Sequence, residues 1–205
     1  MIKVVKLVLG PLSSNCYLIF DEKSKEPIIV DPGDEADFLI QKIEDLELKP
    51  QKIIATHGHF DHVGAILDLK LIYQIPFLAN KKDGFLLKRS AETSKYFTKI
   101  ESLKLPSPDK DLKDGVKVIL GKSALAVMET PGHTPGSVCL VGEGLAFVGD
   151  LLFADGSTGR CDFSYSHPGE LKKSVKKILK LSPKTIVYPG HGPEFILGEI
   201  GSVNG

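Results

Sequence analysis

Apolar residues along this chain fall in short runs, and stretches with helical spacing separate them. Leu7–Leu9 belongs to a first strand that Gly10-Pro11 ends. Cys16–Phe20 and Pro27–Val30 read as strands joined by a turn at Glu22–Lys25. Phe38, Leu39, Ile43 and Leu46 then recur at helical intervals after a polar start over Asp34–Asp37. Lys52–Thr56 and Ile75–Ala79 predict strands, and between them Val63–Ile72 predicts a helix with Val63, Ile66, Leu67 and Leu71 turned inward. Residues 83–113 have the weakest periodicity, with Pro106 and Pro108 as breakers, so only short helix is expected there.

The second half repeats the rhythm. Val116–Leu120, Ala124–Glu129, Ser137–Leu140, Leu145–Val148 and Thr185–Tyr188 read as strands. Glu170–Leu181 reads as a helix with Leu171, Val175, Ile178 and Leu179 on one face. Grouped strands with helices interleaved in both halves predict a layered α/β domain, two sheets face to face with helices packed outside. No linker or low-complexity segment interrupts it, so residues 1–205 are expected to form one domain.

Polar side chains gather where strands end. Asp31-Pro32-Gly33 follows Ile28–Val30, and His57-Gly58-His59-Phe60-Asp61-His62 follows Ile53–Thr56. Further on come Pro131-Gly132-His133, then Asp150 after Phe147–Gly149, then Gly190-His191 after Val187–Pro189. Five of the six histidines are in this set, and loops at strand ends are where layered α/β folds commonly build sites. On a helix, His57 and His59 would point to nearly opposite faces, so this segment must be a loop if both grip one ion. His57, His59, Asp61, His62, His133, Asp150 and His191 exceed what one tetrahedral zinc uses. Such a set suits two divalent ions about 3.5–4 Å apart, with one carboxylate bridging and a position open to water. His167, before Pro168-Gly169, reads instead as a helix cap or surface residue.

Composition narrows the partners. The formal net charge is zero, so no basic field argues for nucleic acid. Of 26 basic residues only Arg89 and Arg160 are arginines, which limits bidentate anion recognition to two positions. Cys16, Cys139 and Cys161 form no CxxC pair, and free thiols fit a cytoplasmic, reducing location. No apolar run reaches the length of a membrane span.

The pattern His57-x-His59-x-Asp61-His62, followed in order by His133, Asp150 and His191, resembles the signature of the metallo-β-lactamase superfamily, and Asp31 fits that family's first strand-end aspartate. The resemblance implies a four-layer αββα sandwich. It also implies that His57, His59 and His133 hold one metal, that Asp61, His62 and His191 hold the other, and that Asp150 bridges. Zinc is the expected metal, with iron or a mixed iron–zinc pair as alternatives. Asp150 stands where several true β-lactamases carry cysteine, which points away from antibiotic hydrolysis. Gly149-Asp150-x-x-Phe153, Gly159-Arg160-Cys161-Asp162-Phe163 and Gly190-His191-Gly192-Pro193 are similar to glyoxalase II-like thioester hydrolases, and persulfide dioxygenases share much of this stretch. After His191 only 14 residues follow, so the helical glutathione-binding domain of two-domain glyoxalase II is not expected here.

The implied activity is hydrolysis of a small acyl thioester such as an S-2-hydroxyacylglutathione by metal-activated water. Asp61 counts as catalytic through the metal it holds, not as a general base. Arg160 is the candidate anchor for a substrate carboxylate, and the competing reading is a salt bridge to Asp162. Three rivals stand beside it: a mononuclear iron oxygenase using His57, His133 and Asp150, a phosphodiester hydrolase, and a non-catalytic metal module. The last is disfavoured because structural zinc sites close at four ligands.

Overall fold

Strand β2 (Ser14–Asp21) shows how the layers arise. Cys16 and Leu18 point to one side and Tyr17 and Ile19 to the other, and all four are buried. A strand covered on both faces needs an unbroken apolar run rather than alternation. In this computed structural model, which describes residues 1–99, 103–201 and 203, β2 pairs antiparallel with β1 (Ile2–Leu9) and β3 (Ile28–Val30). The sheet then continues in parallel through β4 (Lys52–Ile54), β5 (Phe77–Ala79) and β6 (Lys110–Asp111).

The second sheet is built from β7 (Lys117–Leu120), β8 (Ser123–Glu129), β9 (Val138–Gly142), β10 (Leu145–Gly149), β11 (Ile186–Pro189) and β12 (Phe195–Ile196). Its order is β12-β11-β10-β9-β8-β7, with only β10 and β11 parallel. Among the described residues four α-helices complete the layers: α1 (Ala36–Asp45), α2 (Ile66–Tyr73), α3 (Gly84–Thr98) and α4 (Pro168–Ile178). No helix is long and apolar enough to cross a membrane among the described residues.

Three apolar clusters divide the layers. Leu18, Ile29 and Ile53 meet Leu39 and Ile43 of α1 and Ile66 and Leu69 of α2. Tyr17, Ile19, Ile54, Val127, Leu140 and Phe147 fill the space between the sheets. Ala146, Val148 and Val187 meet Leu171, Val175 and Ile178 of α4. The αββα expectation is met. Each fully buried large side chain contributes about 1.5–3 kcal/mol. In the middle cluster Phe147 stacks on Tyr188 at 4.8 Å and meets Tyr17 edge-on at 5.4 Å.

Two expectations need correction. α3 is a full 15-residue helix where only short helix was expected. Its buried residues are Leu87 and Ser90, too few apolar positions to produce a clear period, while Tyr96 and Phe97 are exposed. Residues 100–102, within the stretch read as irregular, lie outside the described residues. α2 starts at Ile66 instead of Val63, because Phe60–His62 forms a tight 3-10 turn first. Its inward residues are Ile66 and Leu69, and Leu71 faces solvent at 65 % exposure. Phe38 of α1 is likewise exposed, and α4 ends at Ile178, so Leu179, expected on its inner face, caps the helix and is exposed.

Candidate metal centre

Every loop that carries an expected ligand leaves the C-terminal end of its strand, on one edge of the sandwich: β4, β8, β10 and β11, with Asp31 following β3 beside them. Backbone bonds hold these ends in register. Asp31 N donates to Ile54 O at 2.9 Å, Val138 N to Thr56 O at 2.8 Å, and Asn15 N to Gly190 O at 2.7 Å. The Asn15 side chain also donates to Pro189 O and Gly192 O, both at 2.9 Å, and Tyr17 Oη donates to Pro189 O at 2.6 Å. The first sheet thus grips the loop that carries His191.

The geometry brings all seven expected ligands together. His57, His59 and His133 offer three nitrogens, and Asp61, His62 and His191 offer an oxygen and two nitrogens, each triad within 4.8 Å. Asp150 lies between them, 3.6 Å from His133 Nε2, 3.5 Å from His62 Nε2 and 3.6 Å from His191 Nε2. Asp61 Oδ2 is 3.3 Å from His191 Nε2 and 3.5 Å from His62 Nε2. His167 is elsewhere, as expected: it caps α4 by accepting from Glu170 N at 3.2 Å.

Hydrogen bonds behind the ligands decide which ring atom faces inward. Thr56 Oγ1 donates to Asp31 Oδ2 at 2.6 Å, so at 3.1 Å it accepts from His57 Nδ1 and leaves His57 Nε2 bare. His62 Nδ1 donates to Asp31 Oδ2 at 3.2 Å, and His133 Nδ1 to Arg160 O at 2.7 Å. His59 engages the Tyr165 hydroxyl through Nε2 at 2.9 Å. His133 Nε2, left bare by the bond to Arg160 O, lies 2.9 Å from His59 Nδ1. Buried His57 Nε2 and Asp150 Oδ1 have no hydrogen-bond partner among the described residues. Buried polar atoms are otherwise almost always satisfied. Converging lone pairs and orphaned atoms are what bound cations would satisfy, so the donor set fits metal.

Charge points the same way. Burial, then the neighbouring His62 and His59, hold His57 well below the usual imidazole range. Burial and His133 push His59 down to about 3, so both rings stay neutral, the form that binds metal. Burial works against ionised Asp61, but His62 and His191 outweigh it and hold its carboxyl well below the ordinary range. Burial also opposes a proton on His62, yet Asp61, Asp150 and Asp31 outweigh it and raise the ring to about 10. In the metal-free centre a proton on His62 therefore offsets part of the carboxylate charge, and a cation would displace it.

Two side chains escaped the sequence reading. Asp83, 1 % exposed, accepts from Gly58 N at 2.8 Å, Thr134 Oγ1 at 2.6 Å and Gly136 N at 2.6 Å. It clamps the His57–His59 loop to the His133 loop. Tyr165 orients His59. The only signal in sequence was that Asp83 immediately precedes the glycine that begins α3. Asp31 accepts from Thr56 N at 2.7 Å with its other oxygen, so it braces ligands while both its oxygens are bonded. Arg160 forms a two-pronged pair with Asp162, Nε at 3.0 Å and Nη2 at 2.8 Å, and covers the Phe163 ring at 4.7 Å. The fork that could have met a substrate carboxylate is thus occupied by Asp162.

A two-sheet sandwich with a histidine–aspartate cluster on one edge is the architecture of a metallohydrolase fold. The chain belongs to the metallo-beta-lactamase superfamily, whose model matches residues 9–191. It is 36% identical over 195 residues to hydroxyacylglutathione hydrolase GloC of Haemophilus influenzae, covering 90% of this chain and 88% of that one. Among solved structures it is similar to the BLEG-1 B3 metallo-beta-lactamase, with 34% identity, TM-score 0.88, and 97% and 95% of the two chains covered. It is also similar to TTHA1623 in a di-iron-bound form, with 36% identity, TM-score 0.87, and coverage of 95% and 96%.

Proposed function

We propose that this chain hydrolyses acyl thioesters of the S-2-hydroxyacylglutathione type at a two-metal centre. The observation that carries the reading is the pair of ligand triads with Asp150 facing both. A mononuclear oxygenase using His57, His133 and Asp150 would leave His59, Asp61, His62 and His191 without a metal to hold. Likeness to a hydroxyacylglutathione hydrolase supports the substrate class. Two divalent cations bound there would acidify a water towards neutral pH and polarise the substrate carbonyl.

The chain's own residues supply placement. Asp31, Thr56 and the Arg160 carbonyl fix the ring orientations and proton positions of His62, His57 and His133, and Tyr165 holds the His59 ring in place. His57, His59 and His133 would hold one cation and Asp61, His62 and His191 the other, with Asp150 placed to face both. A thiolate departs without needing a proton, so this reaction requires no general acid. Zinc is the proposed metal; the di-iron form of a relative makes iron the alternative. Free Cys16, Cys139 and Cys161 fit a cytoplasmic setting.

The test is metal analysis of protein purified without added metal, combined with activity on three substrates. S-lactoylglutathione should be cleaved at about two metals per chain. Oxygen uptake with glutathione persulfide at one iron per chain and no thioester cleavage would overturn the proposal. Turnover of a β-lactam but not of thioesters would move this chain towards its lactamase relative.

A further inference from the structure

With the Arg160 fork held by Asp162, one guanidinium is left over. Arg89, on α3, is exposed and has no carboxylate partner among the described residues. Its helix borders the metal centre at two points. Phe85 meets the Tyr165 ring at 5.4 Å, and Phe97 stacks on Phe60 at 5.7 Å with the rings 8° from parallel. Tyr165 bonds His59, and Phe60 lies between ligands His59 and Asp61 in the chain.

Residues four apart on a helix share a slowly winding stripe. Phe85, Arg89, Thr93 and Phe97 are such a series, and its two ends are anchored on the lip of the centre. Arg89 therefore lies along the lip, between two aromatic contacts. A cation without a partner beside an aromatic wall suits a ligand with an apolar body and a remote negative group.

Building on the thioesterase reading, we propose that Arg89 determines specificity by taking the remote anionic group of the substrate's thiol half. That group is a carboxylate or a phosphate, and the aromatic stripe takes the apolar part. Arg89 touches no reacting atom, so its effect on a cleavable substrate appears in KM and leaves kcat nearly unchanged.

Binding of uncleavable thioethers tests the assignment without relying on turnover. Metal-loaded protein is titrated calorimetrically at low salt with S-hexylglutathione, S-hexyl-coenzyme A and the neutral S-hexyl-N-acetylcysteamine. At least one anionic ligand should bind roughly threefold to fivefold tighter than the neutral one, the range of an exposed ion pair, and the margin should shrink as salt is added. Whichever anionic ligand shows the larger margin identifies carboxylate or phosphate as the recognised group. Arg89→Ala should erase the margin, and Arg89→Lys, which keeps the charge and loses the fork, should keep part of it. No preference in wild type, a preference that survives Arg89→Ala, or one erased only by Arg160→Ala would overturn the proposal. An Arg89-dependent preference with no cleavage of S-lactoylglutathione would sink the thioesterase reading and leave the anion site standing.

Discussion

Removing the Asp83 carboxylate should loosen the metal centre without unfolding the protein. Asp83→Ala strands two buried backbone donors, Gly58 N and Gly136 N, while Thr134 Oγ1 still has Ser137 Oγ at 2.7 Å. Each stranded donor costs about 1–3 kcal/mol, or about 2–6 kcal/mol for the pair. Part of that is returned, because burial makes the ionised carboxyl costly and pushes its pKa upward. A net loss of about 2–4 kcal/mol is a large fraction of the roughly 5–15 kcal/mol that holds a domain together, but smaller than the whole. For a chain of this size it corresponds to a drop in Tm of roughly 5–15 °C. The loops carrying His57, His59 and His133 would no longer be tied, so affinity for the first metal should fall about 10- to 100-fold, the usual range for groups that orient ligands. Asp83→Asn replaces one acceptor oxygen by an NH2 facing a donor, so it should lie between wild type and Asp83→Ala. Melting curves and competition against a chelator of known affinity measure the two effects separately. Wild-type metal affinity in a folded Asp83→Ala protein would refute the idea that this clamp positions the ligands.

Four further outcomes are expected. His57→Ala and Asp61→Ala remove ligands of different triads, so each should lower metal content and cut thioester turnover at least 100-fold, whereas His167→Ala should leave both nearly intact; unchanged metal content and turnover in Asp61→Ala would remove Asp61 from the ligand set. Gly190→Ala would place a Cβ 2.1 Å from Asp150 Oδ1 and 2.8 Å from His62 Cε1, so metal content should fall while circular dichroism stays native. Tyr17→Phe removes a buried donor but leaves Pro189 O bonded to Asn15, so the cost should be about 0.5–1.5 kcal/mol by chemical denaturation, with metal content unchanged. Stripping the metals should lower the melting temperature and restoring them should recover it, since ions that bind only the folded state stabilise it; equal melting temperatures would mean that the ligands do not hold metal.

The cluster of candidate ligands was legible in the sequence because metal-binding chemistry leaves little freedom. Imidazoles and carboxylates must sit at strand ends to converge, and strands buried on both faces announce themselves as apolar runs. The groups that brace the ligands have no such signature. Asp83 acquires its role only through partners 25 and 53 residues away, and Tyr165 through one 106 residues away. α3 was illegible for a related reason: Leu87 and Ser90 are its buried residues, and its other side meets the site lip through Phe85 and Phe97. Arg160 presented two readings at equal spacing cost, and only the fold could show that Asp162 is near enough to take both prongs. The bracing groups come from β3 (through Asp31), from the turn before α3 (through Asp83), and from the Gly159–Tyr165 loop. Each brace comes from an element other than the loop it holds, so the rings of His57, His59, His62 and His133 are positioned by the protein itself. That preorganisation is why the site should bind metal as a formed pocket and not assemble around it.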